Sequence, residues 1–255
     1  LLLLDLIQFY RPRNIFYYIF YKFYIVKTLP KIKKIFAISK YSARIASKIS
    51  KVNFSDIEYI EIDKNICQNI QKKYIKSSKK IYDLLWIGTE SNHKRLKFFI
   101  ETLVILARSL DKKLTINIIL PTNVKDEILD TIKKQKIDQK FNIFFKSNLN
   151  DEDINYLYSK SKILVSTSEI EGYCLPLRES YYFGCSCIAP NKQIFRELHQ
   201  NYTKLFSPYS KLSLSQKIQE VLAKGNFSSN QAIKKVEPIS KIRLDNFLDK
   251  IKKYK

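Results

Sequence analysis

The sequence has 255 residues, 45% of them hydrophobic, which is enough to bury the core of one large domain or two small ones. Its formal net charge of +22 would ordinarily indicate nucleic acid or an anionic membrane surface as a partner. Of the 46 basic residues, however, only eight are arginine, and the lysines are scattered along the chain as on solvated surfaces. The charge therefore does not favour nucleic-acid binding.

The few cysteines and histidines argue against a metal centre or a disulfide framework. The chain has four cysteines without a CxxC spacing and only two histidines, which favours a reducing, cytoplasmic compartment. Asp5 ends the opening leucine run, so no cleavable signal sequence is predicted. The longest apolar segment, Asn14–Val26, is interrupted by Lys22 and falls short of the roughly 20 residues that a spanning helix needs.

The first 75 residues are predicted to form part of one α/β unit. The expected elements are a helix over Asn14–Leu29, a strand over Ile32–Ser39, a helix over Lys40–Ile49 and a strand over Ile57–Ile62. The lysine-rich segment Asp63–Lys80 is the expected linker to the rest of the chain.

From residue 82 onward, short β-branched runs alternate with helical periodicity. Strands are expected over Tyr82–Gly88, Leu114–Leu120, Phe141–Phe145, Lys162–Thr167 and Cys185–Ala189. Helices are expected over Lys94–Leu110, Val124–Lys136, Asp151–Ser159, Leu177–Phe183 and Leu214–Leu222, with a last one over Ser240–Tyr254. Strands separated in this way are joined by right-handed βαβ crossovers, so an α/β fold with a doubly wound parallel sheet is predicted.

The segment EGYCLPLRE, residues 171–179, follows one of these strands and has the features of an anion site. Ligands of doubly wound sheets bind at the carboxyl ends of the strands, where helices begin. Pro176 suits the first turn of a helix because its missing N–H would have been unpaired there anyway. We expect the N–H groups of Leu175 and Leu177, with the helix dipole behind them, to bind a diphosphate.

The two carboxylates and the glycine of the same segment fit a sugar nucleotide. Gly172 would let the backbone approach a ligand closely. Glu179 could accept hydrogen bonds from the two vicinal hydroxyls of a ribose, and Glu171 could do the same for a sugar.

With this spacing the sequence resembles the retaining GT-B glycosyltransferases of family 4, also called group 1, whose signature is Glu, seven residues, Glu, in the form EGFGLPxxE. Phe183–Pro190 is similar to the turn and strand that follow in that family, and Ile87-Gly88-Thr89 with Lys94 to its first C-domain strand and basic phosphate contact. Asp5–Ile7 and Phe36–Ser39 are similar to late segments of its N-terminal domain. The resemblance extends from about Leu4 to Leu222.

The resemblance implies transfer of a sugar, with retention and without a metal or other cofactor, from a nucleoside diphosphate donor to a glycan or lipid-linked acceptor. It implies a bacterial enzyme of surface-polysaccharide synthesis, cytoplasmic or peripheral at the inner face of the plasma membrane. Glu171 is the implied catalytic residue, and the donor-binding residues are Lys94, Gly172, Tyr173, Cys174, Leu175 and Glu179.

The resemblance also implies three parts. Residues 1–75 correspond to a truncated remnant of the N-terminal, acceptor-side domain with its linker, residues 76–235 to the C-terminal nucleotide-sugar domain, and residues 236–255 to a final helix. Two positions depart from the family pattern, with Thr89 at the place of an arginine, unless Arg95 compensates, and Leu4 at the place of a histidine.

Two other functions stay open on the sequence. A catalytically inactive remnant would bind a nucleotide sugar without transferring it. A basic polyanion-binding protein would bind in a salt-dependent way that is indifferent to Glu171 and Glu179. Nine aromatic residues lie between Phe9 and Tyr24, and either core packing or contact with a membrane surface would explain them.

Overall fold

The computed structural model describes residues 2–3, 15–32, 35–59, 79–122, 124 and 126–225. Several expectations lie outside these residues: Leu4 and Asp5–Ile7, most of the linker, the boundary at residue 75 and the helix over Ser240–Tyr254. Within the described part of the chain, no helix is long and apolar enough to span a bilayer.

The N-terminal part contains a three-stranded parallel sheet in the order β1-β2-β3. Its elements are β1 (Leu2–Leu3), α1 (Ile15–Thr28), β2 (Ile35–Ala37), α2 (Lys40–Ser50) and β3 (Ile57–Tyr59). The two helices predicted here are confirmed, and a strand lies within each of the two predicted strand ranges. Ser39 caps α2, because its hydroxyl accepts a hydrogen bond from the Ser42 amide at 3.0 Å.

The C-terminal part contains a six-stranded sheet that is parallel throughout, in the order β6-β5-β4-β7-β8-β9. The strands are β4 (Tyr82–Ile87), β5 (Leu114–Leu120), β6 (Phe141–Ser147), β7 (Ser161–Val165), β8 (Ser186–Pro190) and β9 (Thr203–Phe206). The predicted α/β fold with a parallel, doubly wound sheet is confirmed.

Helices cover both faces of this sheet. They are α3 (Leu96–Ala107), α4 (Asp126–Lys134), α5 (Asp151–Lys160), α6 (Leu175–Tyr182), α7 (Gln193–His199) and α8 (Lys211–Lys224). Along β4, Leu84 and Trp86 pack into the core on one face with α3 and α8, and Leu85 packs into the core on the other face with α5, α6 and α7. Burial on both faces is why central strands such as β4 and β5 are apolar runs, whereas the edge strand β6 alternates exposed residues with buried or half-buried ones.

The sequence patterns missed α7 and β9. Helix α7 is only seven residues long and β9 only four, and neither is long enough to show a clear period. Helix α6 begins at Leu175, two residues earlier than expected. Its N-cap residue is Cys174, whose backbone is left-handed.

The two sheets are joined by a contact between α2 and α7. The Lys40 amide, at the start of α2, donates a hydrogen bond to Oε1 of Glu197 on α7 at 2.6 Å. Tyr41 packs against the core between the large sheet and α5–α7. The carboxylate of one unit thus satisfies an amide in the first turn of a helix of the other.

Candidate active site

The strand order brings the loop after β4 and the loop after β7 together at the middle of the large sheet. From β4 the chain continues outwards to β5 and β6 on one side, and β7, β8 and β9 follow on the other. The order therefore reverses between β4 and β7, and such a switch point opens a crevice at the carboxyl ends of the strands. Lys94 lies in the first of these loops and Glu171 in the second.

Lys94 and Glu171 form an ion pair across this crevice. Nζ of Lys94 lies 2.6 Å from Oε1 of Glu171, and the two side chains are 20% and 8% exposed. Thr167 ties the loops together below the pair, since its hydroxyl donates to the Lys94 carbonyl at 2.7 Å and accepts from the Trp86 indole at 3.0 Å. The Glu169 amide adds a hydrogen bond to the His93 carbonyl at 2.7 Å. A mostly buried carboxylate therefore holds the ammonium in place beside the start of α6.

The start of α6 is built around Cys174. The backbone of Cys174 is left-handed, with φ 66° and ψ 62°, which costs a residue with a side chain roughly 1–2 kcal/mol and explains why the family signature has glycine there. The thiol is buried 3.8 Å from the Ser166 hydroxyl, and burial raises its pKa. Such a thiol acts as a small core side chain and not as a nucleophile.

The expected anion site at α6 is corrected in one respect. Pro176 lies in the first turn as predicted, and Leu175, 41% exposed, begins the helix. The Leu177 amide, however, donates to the Cys174 carbonyl at 3.2 Å. Because the helix begins two residues early, that N–H is used inside the first turn, and of the two predicted amides only that of Leu175 heads the helix.

Glu179 lies one turn into α6 and is held by a tyrosine that the sequence analysis missed. The hydroxyl of Tyr158, on α5, donates to Oε2 of Glu179 at 2.9 Å. Burial raises the pKa of the Glu179 carboxyl, and the hydrogen bond from Tyr158 opposes that shift. Tyr158 is itself buried and stacks on Phe183, so the carboxylate is held by a rigid partner.

Gly172 and Tyr173 lie behind the crevice as buried backbone. Tyr173 is 3% exposed, and its hydroxyl accepts a hydrogen bond from Nη1 of Arg178 at 3.0 Å. The Tyr173 carbonyl meets Nε2 of His199 at 2.5 Å. Burial lowers the pKa of His199 to about 4, the hydrogen bond to Tyr173 opposes this, and the nearby Arg178 charge lowers the pKa further. Tyr173 therefore stabilises the loop through its contacts with Arg178 and His199.

Two further cations lie in loops at the carboxyl ends of strands, Lys192 after β8 and Arg95 next to Lys94 after β4. Lys192, two residues after β8, has its Nζ 3.9 Å from Glu169 and 3.3 Å from the Tyr209 hydroxyl. Arg95, the residue considered as a substitute for the missing arginine, donates to the Pro208 carbonyl at 2.7 Å and covers the ring of Phe98 at 4.0 Å. Those contacts direct its guanidinium towards the loop after β9. Thr89 pairs with the hydroxyl of Ser91.

A cavity of about 440 Å³ opens beside the loop after β4, between the starts of α3 and α4. Its lining includes Glu90, Glu101 and Glu127, but neither Glu171 nor Glu179. These three carboxylates outnumber the two cations of the lining, Arg95 and Lys97, which suits a diphosphate poorly, so we place the candidate site at the ion pair in the crevice. Among the described residues, no group of three His, Cys, Asp or Glu side chains is arranged to hold a metal ion.

Comparison with known proteins assigns the fold and the family. Residues 68–236, about two thirds of the chain, match the family described as "Glycosyl transferases group 1". The serotype-specific mannosyltransferase WbdA of Escherichia coli is 30% identical over 81 residues, which are 32% of this chain and 10% of that protein. The match thus spans about a tenth of the length of this curated relative.

Solved structures of glycosyltransferases superpose on most of the chain. TarM of S. aureus, in complex with Fondaparinux, alpha-GlcNAc-glycerol and UDP, has a TM-score of 0.68 at 19% identity, covering 90% of this chain and 45% of that one. WaaG, a glycosyltransferase involved in lipopolysaccharide biosynthesis, has a TM-score of 0.64 at 15% identity, covering 89% and 63%. These neighbours have the GT-B fold, and with the family match they show that the chain belongs to the glycosyl transferases of group 1.

Proposed function

We propose that this protein transfers a sugar from a nucleoside diphosphate donor to a glycan or lipid-linked acceptor, with retention of configuration. The observation that carries the proposal is the ion pair between Lys94 and Glu171 at the switch point of the sheet. The pair lies beside the start of α6, and Glu179 follows one turn further along the same helix.

Each of these groups has a task in the proposed reaction. The Lys94 ammonium and the dipole of α6 neutralise the diphosphate as it leaves, which lowers the energy of the developing charge. Glu171 keeps the ammonium in position and reaches the hydroxyls of the donor sugar. Glu179, oriented by Tyr158, accepts hydrogen bonds from the ribose. Because protein cations carry the charge of the leaving group, we propose that the transfer needs no divalent metal.

The substrate class draws support from the related proteins. TarM and the pneumococcal O-GlcNAc transferase GtfA were both solved with UDP bound, which favours a nucleotide donor for this chain too. WbdA is a mannosyltransferase and WaaG takes part in lipopolysaccharide biosynthesis. We therefore propose a role in assembling a bacterial surface polysaccharide.

Donor binding tests the proposal directly. Titration calorimetry with UDP-, GDP- and ADP-sugars identifies the donor, and Glu179→Ala is then compared with Glu220→Ala, whose carboxylate lies near the end of α8 in ion pairs with Lys217 and Lys224. Loss of charge-assisted hydrogen bonds to the ribose should weaken binding about tenfold or more in Glu179→Ala, and Glu220→Ala should bind as the wild type does. Equal affinities for both variants would reject the assignment of Glu179.

Catalysis is tested separately by the release of nucleoside diphosphate in the presence of lipid-linked and glycan acceptors, with and without a chelator. Binding without release would favour a non-catalytic nucleotide-sugar module. A strict requirement for a divalent metal would contradict the proposed use of Lys94.

A lipid-linked acceptor also fits an exposed face of α1. Six large apolar side chains there are between 56% and 79% exposed: Ile15, Phe16, Ile19, Phe20, Phe23 and Tyr24. The opposite face packs into the core of the N-terminal part through Ile25, and Leu29, directly after the helix, packs into the same core. Lys22 and Lys27 lie on the same helix, over the rings of Tyr18 and Phe23. We propose that this face rests on an anionic lipid surface at the inner side of the plasma membrane.

Co-sedimentation with vesicles tests the lipid surface. The triple variant Phe16→Ser, Phe20→Ser, Phe23→Ser should lose binding to anionic vesicles, whereas Phe144→Ser, which removes a half-exposed ring from β6, should keep it. Equal binding to neutral and anionic vesicles would refute the electrostatic part, and unchanged binding of the triple variant would refute the whole proposal.

A further inference from the structure

His199 is a buried polar residue that the proposed reaction does not use. It ends α7, its side chain is 0% exposed, and both ring nitrogens are engaged. Nε2 lies 2.5 Å from the Tyr173 carbonyl, and Nδ1 meets the Tyr202 hydroxyl. A carbonyl oxygen only accepts, so Nε2 carries a hydrogen; because burial lowers the pKa of the ring to about 4, the ring is neutral and Nδ1 accepts from Tyr202. The ring is therefore the neutral Nε2–H tautomer with both of its hydrogen bonds made.

The carbonyl that accepts from His199 belongs to Tyr173, in the loop after β7 that also carries Glu171. Tyr173 lies two residues after Glu171 and directly before Cys174, the residue that caps α6. A buried carbonyl that accepts no hydrogen bond is unfavourable, so a loop that turns this group inwards depends on the N–H that it meets. The Tyr173 side chain adds two more anchors, a T-shaped contact with the His199 ring at 5.7 Å and the hydrogen bond from Arg178. These contacts hold the loop in place at Tyr173, between Glu171 and the start of α6.

We propose that His199 is a positioning residue: its Nε2–H holds the Tyr173 carbonyl so that Glu171 stays beside Lys94 and α6 stays aimed at the donor. The inference rests on the proposed function of that site. It differs from a purely structural role for His199, in which the ring would fill space in the core and donor binding would not depend on the hydrogen bond.

A set of three substitutions separates these two roles. His199→Leu removes the ring N–H that donates a hydrogen bond to the Tyr173 carbonyl. His199→Gln keeps an N–H that can reach the same carbonyl. Ile194→Ala, on the same helix, removes buried volume from the same core without touching the loop hydrogen bond. The donor Kd of each variant is measured by calorimetry at a temperature well below its own Tm.

The expected result follows from the hydrogen bond. His199→Leu should weaken donor binding about tenfold, and His199→Gln should stay within about threefold of the wild type. Ile194→Ala should lower Tm and leave Kd within about twofold. Wild-type Kd in a cooperatively folded His199→Leu, or equal weakening in His199→Leu and His199→Gln, would overturn the inference. If the wild type itself binds no nucleotide sugar, the proposed function fails, and the experiment distinguishes that case.

A spectroscopic measurement keeps the inference testable if His199→Leu does not fold. The chain has only two histidines, so ¹⁵N spectra of the imidazole groups are readily assigned with His93→Gln. We expect His199 to show the neutral Nε2–H tautomer between about pH 6 and 8, and its ring signals to shift on addition of the donor. An Nδ1–H tautomer, or ring signals that ignore a bound donor, would contradict the positioning role.

Discussion

Replacing Lys94 by methionine tests whether the ion pair in the crevice contributes to the free energy of unfolding. Methionine keeps most of the length of the side chain and deletes the charge. The Glu171 carboxylate, 8% exposed, would then stay buried without this ammonium. Removing one partner of a buried pair costs about 3–5 kcal/mol, but Lys94 is 20% exposed, and solvent screening reduces the expected loss of stability to about 2–3 kcal/mol. For a unit of this size that loss lowers Tm by roughly 4–12 °C.

Lys97→Met is the matched control. Lys97 pairs with Glu127 at the same distance of 2.6 Å, but the two side chains are 58% and 67% exposed, so solvent screens the pair and the control should lose much less stability than Lys94→Met. Urea unfolding is followed through Trp86, the only tryptophan, whose indole is linked to Lys94 through Thr167. Equal destabilisation by the two substitutions would refute the view that Glu171 depends on its partner.

A double variant separates stability from function. Adding Glu171→Gln to Lys94→Met removes the uncompensated charge, so part of the lost stability should return. Donor affinity should not return, because the cation that faces the diphosphate is still missing. Recovery of both would mean that Lys94 serves Glu171 alone and not the donor.

Three further outcomes follow from the contacts of the site. Tyr158→Phe should weaken donor binding about threefold to tenfold in calorimetry, because Glu179 loses the hydrogen bond that orients it; unchanged Kd would contradict this role. Because the pKa of His199 falls to about 4 in the folded protein, the unfolded state binds more protons between about pH 6.5 and pH 4. Stability should therefore decline as pH falls through that window, by about 3 kcal/mol at its lower end, and urea unfolding of His199→Gln at pH 7, 5.5 and 4.5 should lack this part of the slope. Glu197→Ala removes the acceptor of the Lys40 amide and should increase proteolysis within α2, whereas cleavage at the wild-type rate would show that the contact between the units contributes little.

The fold class, and the position of residues 171–179 between a strand and a helix, were predictable because their signals are local. Apolar runs such as Leu114–Leu120, separated by helical periodicity, indicate a parallel sheet without any knowledge of distant contacts. Pro176 indicated a helix start, and the spacing of Glu171 and Glu179 marked the loop that follows β7. Short elements such as α7 carried no such signal, and the early start of α6 changed which amide heads that helix.

By itself, then, the sequence determined the order of the longer strands and helices, the motif and the family that it resembles. Only the tertiary structure decided which groups support the motif: Lys94 meets Glu171 across 77 residues of chain, His199 meets Tyr173 across 26, and Tyr158 meets Glu179 across 21. Periodicity and spacing report on neighbours within one or two turns of the chain. Pairs separated by whole βαβ units come together through the strand order and the packing of helices on both faces of the sheet, which no single segment of the sequence encodes.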